Sequence, residues 1–383
     1  SGTVSLLNNH ASIEGGGISF DGAANNQILT NLVIANNTAG SRGAGVVIHN
    51  SSFYIKKSTI INNVSSYAAG VFISHNGVVD IENSIIRDNY PQQIWIDDGG
   101  DPCAISLSYS DIQGGQDSIV TNNNGTVTWG SGNIDVDPMF VDTANGNYHL
   151  LASSQLINAG HPDSTDADGT IADIGAYPYL NTYSGDNGWH VSNNGSDETG
   201  DGDGGAPFAS IQAGINFAED GDSVTVMVGT YVENINFRGR NIKVVGQDRE
   251  TTIIDGNQNG SVVTIENLHE YGGGTWASTR DDALMKGFTI RNGGGTYANP
   301  YGEPQNQYFG GGIWLYNASP TLEDITISGN FIDAWGGGIF LHQYCAPLIT
   351  NVTINNNTAD RGGGISLYYS NNDFIFELIR DSK

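Results

Sequence analysis

The sequence predicts an all-β solenoid, in which short parallel strands stack in successive coils. One observation is a tetrad of three glycines and an isoleucine, found at Gly15–Ile18, Gly310–Ile313, Gly336–Ile339 and Gly362–Ile365. Another is a β-branched run that ends in asparagine before most tetrads, as in Thr326–Asn330 and Thr353–Asn357. The later tetrads recur about every 26 residues, which is shorter than the roughly 40 residues of a propeller blade.

Each part of this repeat has a physical reason. Alternating residues, as in Ile313–Tyr316 and Ile339–His342, give strands with one buried face. Asparagine and glycine supply the left-handed backbone conformations that tight corners require. One coil of about 25 residues cannot bury its own apolar face, so coils must stack, and like residues then lie about 4.8 Å apart. We therefore expect asparagine ladders along the corners.

The tetrads and their Thr-Ile-x-x-Asn strands resemble the right-handed parallel β-helix repeats of the pectin-lyase-like superfold. They also resemble, more loosely, the repeats of polymorphic outer-membrane proteins. The resemblance covers most of the chain and implies the fold class: all-β, a right-handed parallel β-helix in two tandem modules. It leaves the function open, because this superfold includes lyases, hydrolases, adhesins and passive spacers.

Changes in the pattern predict two modules. Residues 1–180 are expected to form the C-terminal part of one β-helix, and 131–180 resemble the segment that closes the C-terminal end of such helices. A Gly/Asp-rich linker is predicted at 181–206. Residues 207–383 then begin a second β-helix, and the helical period of 207–218 resembles an N-terminal capping helix. Such a helix covers a sheet edge that would otherwise pair with other chains.

Composition limits the partners. The chain has 383 residues, with 14 Lys and Arg against 41 Asp and Glu, and its net charge is −27. This charge repels nucleic-acid phosphates and anionic membrane surfaces, so neither is an expected partner. No apolar stretch reaches the roughly 18 residues of a membrane-spanning helix. The acidic, Asn/Thr/Gly-rich composition favours a secreted or cell-surface bacterial protein.

Two acidic loops are candidate calcium sites. Ca²⁺ takes about six to eight oxygen ligands, and aspartates at alternating loop positions supply them. The candidate ligands are, in the first loop, Asp163, Asp166, Asp168 and Asp173 and, in the second, Asp197, Asp201 and Asp203. Neither loop is an EF-hand, because the bidentate glutamate is missing. The alternative is that both loops are solvated acidic turns.

The best catalytic candidates are Asp97 and Asp98, with Trp95 as a sugar platform, because glycoside hydrolysis needs paired carboxylates. The Asn-Thr-Asp, Gly-His-Gly and Arg-Ile-Lys signatures of the polygalacturonases of this superfold are missing, however. A lyase would need a basic groove, and the densest cationic group, at 238–243, is more simply read as solvated strand residues. A loop that interrupts the β-helix is therefore the stronger expectation at Asp97.

A long Gly/Tyr/Asn-rich insertion is predicted at 266–309. Long loops on rigid scaffolds often carry binding sites, and tyrosine and tryptophan fit sugar faces. The ligand-binding candidates in and beside this insertion are Trp276, Tyr297, Tyr301, Tyr308 and Trp314. The alternative is a compact loop that packs on the coil.

These observations favour an extracellular structural protein, a rod-like β-helix module of a larger surface or filament-forming protein, with an adhesive role as a further expectation. The expected partners are other copies of the chain, end to end, or surface glycans, and Ca²⁺ is the one cofactor implied. Both ends of the sequence are strand-like, so either a truncated segment or one unit of a tandem array is expected. The alternative function is a carbohydrate-active enzyme, a polysaccharide lyase or glycoside hydrolase, or a carbohydrate-binding protein.

Overall fold

The computed structural model describes residues 2–22, 26–181, 183, 188–266, 282–298, 307–343 and 345–368. The chain divides into two compact units, unit 1 at Ser1–Asn181 and unit 2 at Thr182–Lys383. Both units are built almost entirely from short parallel strands that stack in coils. The predicted fold class, a parallel β-solenoid, is confirmed.

The strands of unit 1 are short and follow one another around the coil. They are β1 Val4–Leu7, β2 His10–Ala11, β3 Ile18–Asp21, β4 Gln27–Thr30, β5 Leu32–Ala35, β6 Thr38–Ala39, β7 Val46–His49, β8 Ser52–Lys56, β9 Thr59–Ile61, β10 Val71–Ser74, β11 Val78–Glu82, β12 Ile85–Arg87, β13 Ile94–Ile96, β14 Cys103–Ser108, β15 Asp111–Ile112, β16 Ile119–Val120, β17 Gly125–Trp129, β18 Phe140–Asp142 and β19 Asn147–Leu150. Short 3₁₀ turns lie at Gln116–Ser118 and Thr143–Asn145.

Three parallel sheets form the sides of unit 1. The first sheet has the order β1-β5-β9-β12-β15, the second β3-β7-β10-β13-β16 and the third β4-β8-β11-β14-β17. The register places like residues side by side, for example Ile48 beside Ile73 and Ile73 beside Ile96. These isoleucines are fully buried in the core between the three sheets, so the interior is a continuous apolar column.

Unit 2 has longer strands and one short helix. The elements are β20 Gly188–Val191, α1 Ile211–Phe217, β21 Ser223–Val226, β22 Gly229–Val232, β23 Ile235–Asn236, β24 Lys243–Gly246, β25 Thr252–Asp255, β26 Val263–Glu266, β27 Leu284–Arg291, β28 Thr296–Ala298, β29 Gln307–Phe309, β30 Ile313–Tyr316, β31 Thr321–Ser328, β32 Ile339–His342, β33 Leu348–Asn355 and β34 Ile365–Tyr368. One sheet runs β20-β21-β24-β27-β25-β22 and continues from β27 through β31 to β33, while β23-β26-β30-β32-β34 form another.

The glycine tetrads occupy corners that leave no room for side chains. The first glycine of a tetrad has a positive φ, 74° at Gly336 and 64° at Gly362, which strains any residue with a Cβ. The third has no space: a Cβ on Gly338 would lie 2.4 Å from the carbonyl oxygen of Gly364 in the next coil. The three glycines of the tetrad therefore form a close backbone contact between coils, and its isoleucine faces inward.

The predicted asparagine ladder is confirmed and is buried. The backbone N–H and the Nδ2 of Asn37 both donate to Oδ1 of Asn63, at 3.0 Å each. Asn63 donates in the same way to Oδ1 of Asn89, at 3.1 and 2.8 Å. A shorter ladder in unit 2 joins Asn330 to Asn357, at 3.1 and 2.8 Å. The side chains thus satisfy corner N–H groups that the sheets leave unpaired.

The segment 131–180 does more than close the last coil. It begins there, since Ile134 pairs with β15. It then runs back along the outside of the first sheet, where Tyr148 is buried against Val33 and Ile61. The reason lies in β5 and β9, which are apolar on both faces and therefore need an outer cover. The structure thus adds an outer cover of the first sheet to the closing role that the sequence predicts for this segment.

Two stretches predicted to be irregular contain solenoid strands. The linker predicted at 181–206 includes β20, which pairs in parallel with β21. The insertion predicted at 266–309 includes β27, whose Phe288 and Ile290 are fully buried. Alternation of apolar residues in 284–291 was the signal for this strand. The rest of that range is described only at its margins.

Helix α1 is held by charged side chains at both ends. Both carboxylate oxygens of Glu233 accept N–H groups of the first turn, including that of Ile211 at 2.8 Å. The guanidinium of Arg240 donates to carbonyls of the last turn, including that of Asn216 at 2.7 Å. Each charge is opposite in sign to the end of the helix dipole that it contacts, which stabilises the helix. Arg240 is therefore a partly buried residue that caps the helix end, whereas the sequence suggested a solvated strand residue.

Candidate functional site

Charged and imidazole side chains gather on the outer face of the second sheet of unit 1. We call Glu14, Arg42, His49, Ser74 and Asp97 the polar face. Glu14 and Arg42 each precede a tetrad or its degenerate copy and pair across neighbouring coils. His49, Ser74 and Asp97 lie on or directly after neighbouring strands β7, β10 and β13. The stacking of coils therefore brings together residues that are far apart in the sequence.

A chain of hydrogen bonds crosses this polar face. His49 Nε2 lies 2.9 Å from Glu14 Oε1, and His49 Nδ1 contacts Ser74 Oγ. Ser74 Oγ also lies 2.8 Å from Nδ1 of His75. The order carboxylate, imidazole, hydroxyl is that of a catalytic triad. However, Ser74 is completely buried, so a substrate cannot reach its hydroxyl, and the chain joins coils instead.

Arg42 links the two carboxylates of the polar face. Its Nε donates to Glu14 Oε2 at 2.9 Å, and its NH1 lies 3.9 Å from Asp97 Oδ2. The guanidinium also lies 4.8 Å from the centroid of the Phe72 ring, a cation–π contact. Burial tends to raise the pKa of Glu14, but the hydrogen bonds from Arg42 and His49 outweigh it and hold the pKa below its ordinary value.

The structure places the catalytic candidates at one edge of the polar face. Trp95 points outward from β13, and Asp97 follows two residues later on the same side. Asp98 is exposed on the loop after β13. Sequence reasoning found these residues but missed Glu14 and His49. The missed signal was register, because residues at equal distances from a tetrad become neighbours across coils.

The corresponding outer face of unit 2 is aromatic. We call Phe309, Trp314, Trp335, Phe340 and His342 the aromatic face. Phe309 stacks on Phe340 with ring centroids 4.9 Å apart, and Phe340 stacks on His342 at 5.9 Å. Phe340 and His342 are fully buried. Burial lowers the pKa of His342 to about 4, so this imidazole is neutral at pH 7.

The structure does not bring all the aromatic ligand-binding candidates together in one site. Tyr297 and Tyr308 lie opposite each other on β28 and β29, with ring centroids 5.1 Å apart. They are 56% and 47% exposed. Trp314 lies on β30 within the aromatic face, 6.4 Å from the ring of Tyr316. Trp276 and Tyr301 lie outside the described residues. The structure thus groups two of the candidates as an exposed aromatic pair.

The first acidic loop is packed onto unit 1. Asp166 forms an ion pair with Lys57, with Oδ1 2.8 Å from Nζ, and accepts the backbone N–H of Asp173 at 2.7 Å. Asp173 is nearly buried, and burial raises its pKa to about 7. Asp168 accepts N–H and hydroxyl donors from its own loop, while Asp163 is exposed. The carboxylates of this loop therefore hold the segment 131–180 onto unit 1. A calcium site in the loop remains a prediction.

The second acidic loop is stabilised in the same local way. Asp197 accepts two backbone N–H groups just before α1, the nearer from Ala209 at 2.8 Å. Asp201 accepts the N–H of Asp203 at 2.9 Å, and Asp203 that of Gly205 at 3.1 Å. Such contacts are typical of aspartate turns. Across the described ranges, no three His, Cys, Asp or Glu side chains are grouped to hold a metal ion.

Comparison with known proteins agrees with the architecture. Residues 213–378 match the family model described as a right handed beta helix region. No curated protein and no solved structure matches the chain. Within the part that the structure describes, no helix has the length and apolar character needed to cross a membrane. The parallel sheets show that both units are parallel β-solenoids, and the family match identifies residues 213–378 as similar to the right-handed β-helix kind.

Proposed function

We propose that this chain is a structural module of the cell exterior, an acidic and rod-like β-helix of a surface or filament-forming protein. The observation that carries the proposal is the buried asparagine ladder of Asn37, Asn63 and Asn89, which ties successive coils through side chains as well as backbone. A parallel serine ladder joins Ser58 to Ser84 at 3.2 Å. Such periodic, fully satisfied contacts give a stiff scaffold. The net charge of −27 suits a soluble exterior surface.

Turnover and location test this proposal together. The chain would be incubated with a panel of neutral and acidic polysaccharides, and new reducing ends and unsaturated products would be measured. We expect neither. Antibody labelling of intact producing cells would give the location, and we expect surface or secreted signal. Catalytic turnover above the rate of the buffer, or labelling only after cell lysis, would contradict the proposal.

A carbohydrate site on the polar face is the second candidate. It is supported by Trp95 and Asp97, which lie on the same outward side of β13, beside Arg42. An aromatic ring and a carboxylate side by side suit sugar binding. Turnover that is lost in Asp97→Asn and kept in Asp117→Asn, an acidic residue outside the polar face, would favour this function over the scaffold.

A surface scaffold with an adhesive role would bind glycans without cleaving them. The exposed pair Tyr297 and Tyr308 is the surface that supports it. A glycan array probed with the chain and with Tyr297→Ala would measure it. A signal that falls at least tenfold in the variant would support an adhesive role, and an empty array would restrict the proposal to a structural scaffold.

A further inference from the structure

One pair of opposite charges on the polar face does not close into a hydrogen bond. Arg42 NH1 lies 3.9 Å from Asp97 Oδ2, which is beyond hydrogen-bond distance. Every other pair of Lys or Arg with Asp or Glu in the part of the chain that the structure describes has a shortest N–O distance of 3.2 Å or less. The Arg42–Asp97 gap is therefore an exception to the way in which this molecule pairs its charges.

Both groups at this gap have unused hydrogen-bonding capacity. The Nε–H of Arg42 donates to Glu14 Oε2 at 2.9 Å, but the remaining N–H groups of its planar fork meet no acceptor among the described residues. The carboxylate of Asp97 likewise accepts no donor from any residue that the structure describes. The two side chains are only 36% and 20% exposed, and polar groups so far removed from water usually have a partner. A group that is not part of this chain would satisfy both.

Other contacts hold the gap at its width. The guanidinium of Arg42 is fixed by Glu14 and lies 4.8 Å from the centroid of the Phe72 ring. The backbone N–H of Asp97 donates to the carbonyl of Ile73 in the preceding coil at 2.9 Å. Moving either the guanidinium or the Asp97 backbone to close the gap would break these contacts. The two groups are thus preorganised to bind something between them.

The charges at the gap select an uncharged group. A cation would lie beside the Arg42 guanidinium, and an anion would lie beside the carboxylates of Asp97 and Glu14. An uncharged group that donates to the carboxylate and accepts from the guanidinium fits both neighbours. An alcohol hydroxyl does this with one oxygen atom, which can lie about 2.8 Å from both Arg42 NH1 and Asp97 Oδ2.

An aromatic ring adjoins the gap. Trp95 lies two residues before Asp97 on the same outward side of β13. It is partly exposed and packs against Phe72 and Val47. The C–H faces of sugar rings pack on aromatic rings, and their hydroxyls form strong hydrogen bonds with charged groups. A ring beside a hydroxyl-sized gap therefore favours a sugar over an isolated alcohol.

We propose that Trp95, Arg42 and Asp97 form a binding site for uncharged sugars. One sugar hydroxyl donates to Asp97 Oδ2 and accepts from Arg42 NH1, while the sugar ring packs on Trp95. The inference rests on the carbohydrate candidate for the polar face and specifies its ligand, because the two carboxylates disfavour uronates and sulfated sugars. It requires binding alone, with no bond of the sugar broken.

Equilibrium binding of sugars of equal length tests the selection by charge. Isothermal titration calorimetry would compare four uncharged probes, cellohexaose, laminarihexaose, maltohexaose and mannohexaose, with the anionic hexagalacturonate. We expect at least one uncharged probe to bind at millimolar concentration or below, and hexagalacturonate to bind about tenfold more weakly or worse. Binding of the uncharged probe should be the same in low and high salt, because no ion pair forms with the ligand. Hexagalacturonate that binds as tightly as the best uncharged probe would contradict the proposal.

Substitutions at Asp97 test the place of the site. Asp97→Ala removes the acceptor and should weaken binding of the uncharged probe by about tenfold or more. Asp117→Ala, at an acidic residue outside the polar face, is the matched control and should bind as the wild type does. Asp97→Asn keeps an acceptor and removes the charge, so it should bind the uncharged probe better than Asp97→Ala and discriminate less against hexagalacturonate. This variant keeps the test sharp if Asp97→Ala lowers the melting temperature.

Two results would overturn the proposal. If the wild-type chain binds none of the uncharged probes, solvent alone occupies the gap. If binding survives in Asp97→Ala, the sugar binds elsewhere, and its loss in Tyr297→Ala would place it at the exposed tyrosine pair. A probe that is bound but not cleaved would remove the enzyme candidate and leave this site standing, and labelling only after cell lysis would remove the exterior scaffold without affecting it. The proposals therefore fail through different measurements.

Discussion

The polar face of unit 1 and the aromatic face of unit 2 occupy equivalent positions on the same kind of coil. The residue before the tetrad is Glu14 in one unit and Trp335 in the other. The first outward residue after a tetrad or its degenerate copy is Val47 in one unit and Phe340 in the other, whereas the next outward residue is a histidine in both, His49 and His342. The backbone corners and inward isoleucines hardly differ. The difference shows that stacking dictates the inward face, while the outward face is free to take different chemistry.

The two faces should also differ in what they contribute to stability. Stacked rings that are fully buried contribute through burial and dispersion. Partly exposed ion pairs, such as Arg42 with Glu14 at side-chain exposures of 36% and 24%, contribute about 1 kcal/mol or less. We therefore expect substitutions on the aromatic face to have the larger effects.

Removing the central ring of the aromatic face should give the largest effect. Phe340 is fully buried and stacks on Phe309, so Phe340→Ala should lower the free energy of unfolding of unit 2 by about 3–5 kcal/mol. Hydrogen exchange of peptides from β30–β32 in guanidinium would localise the loss. Tyr297→Ala is the control: its ring is 56% exposed, and a cost of about 0.5 kcal/mol or less is expected. Equal costs would mean that the Phe340 ring is not packed.

Acid should weaken the aromatic face through His342. Its pKa in the folded state is lowered to about 4 by burial, so the unfolded chain takes up the proton first. Stability is then fully present above about pH 6.5 and is lost as pH falls toward 4, by up to about 3 kcal/mol. Unfolding of unit 2 in guanidinium between pH 7.5 and 4 would measure the slope.

The matched variant for this prediction is His342→Phe, which keeps a buried ring and removes the titration. The rings that contact His342 belong to Tyr316, Phe340 and Tyr368, which carry no charge in this pH range. The variant should therefore lose the slope between pH 6.5 and 4. An unchanged slope would assign the acid sensitivity to carboxylates elsewhere in unit 2.

The sequence predicts the inward half of this molecule well. Tetrads, left-handed corners and ladder asparagines carry their signal locally, because each must fit the identical residue one coil away. The return of the segment after β17 could not be predicted in the same way. It depends on outward-facing residues such as Val33 and Ile61, whose need for a cover appears only once the coil exists.

The polar face lies between these cases. Glu14 and Arg42 each stand directly before a tetrad or its degenerate copy, so their pairing follows from register alone. His49 and Ser74 likewise stand at the ends of paired strands. The motifs alone do not predict this neighbourhood: they indicate Asp97 but not Arg42, whose NH1 lies 3.9 Å from the Asp97 carboxylate.

On the polar face, Glu14→Gln should cost about 1 kcal/mol at pH 7, since it removes the charge that Arg42 and His49 share. The pKa of Glu14 is held below its ordinary value, so its stabilisation is present above about pH 4.5 and is lost as pH falls through that lowered pKa. Thermal unfolding of both proteins should converge in acid. Glu82→Gln, at the similarly exposed pair with Lys56, is the control and should cost less, because Glu14 also pairs with His49.

Calcium should have the smallest effect, because the Lys57 ammonium already neutralises Asp166 and backbone N–H groups already bind Asp173. A Ca²⁺ ion would have to displace these donors before the carboxylates could bind it. We therefore expect the melting temperature to differ by less than about 2 °C between chelator and millimolar Ca²⁺. A larger rise that disappears in Asp168→Asn, and persists in Asp201→Asn, would place calcium at the first acidic loop and show that the ion replaces Lys57.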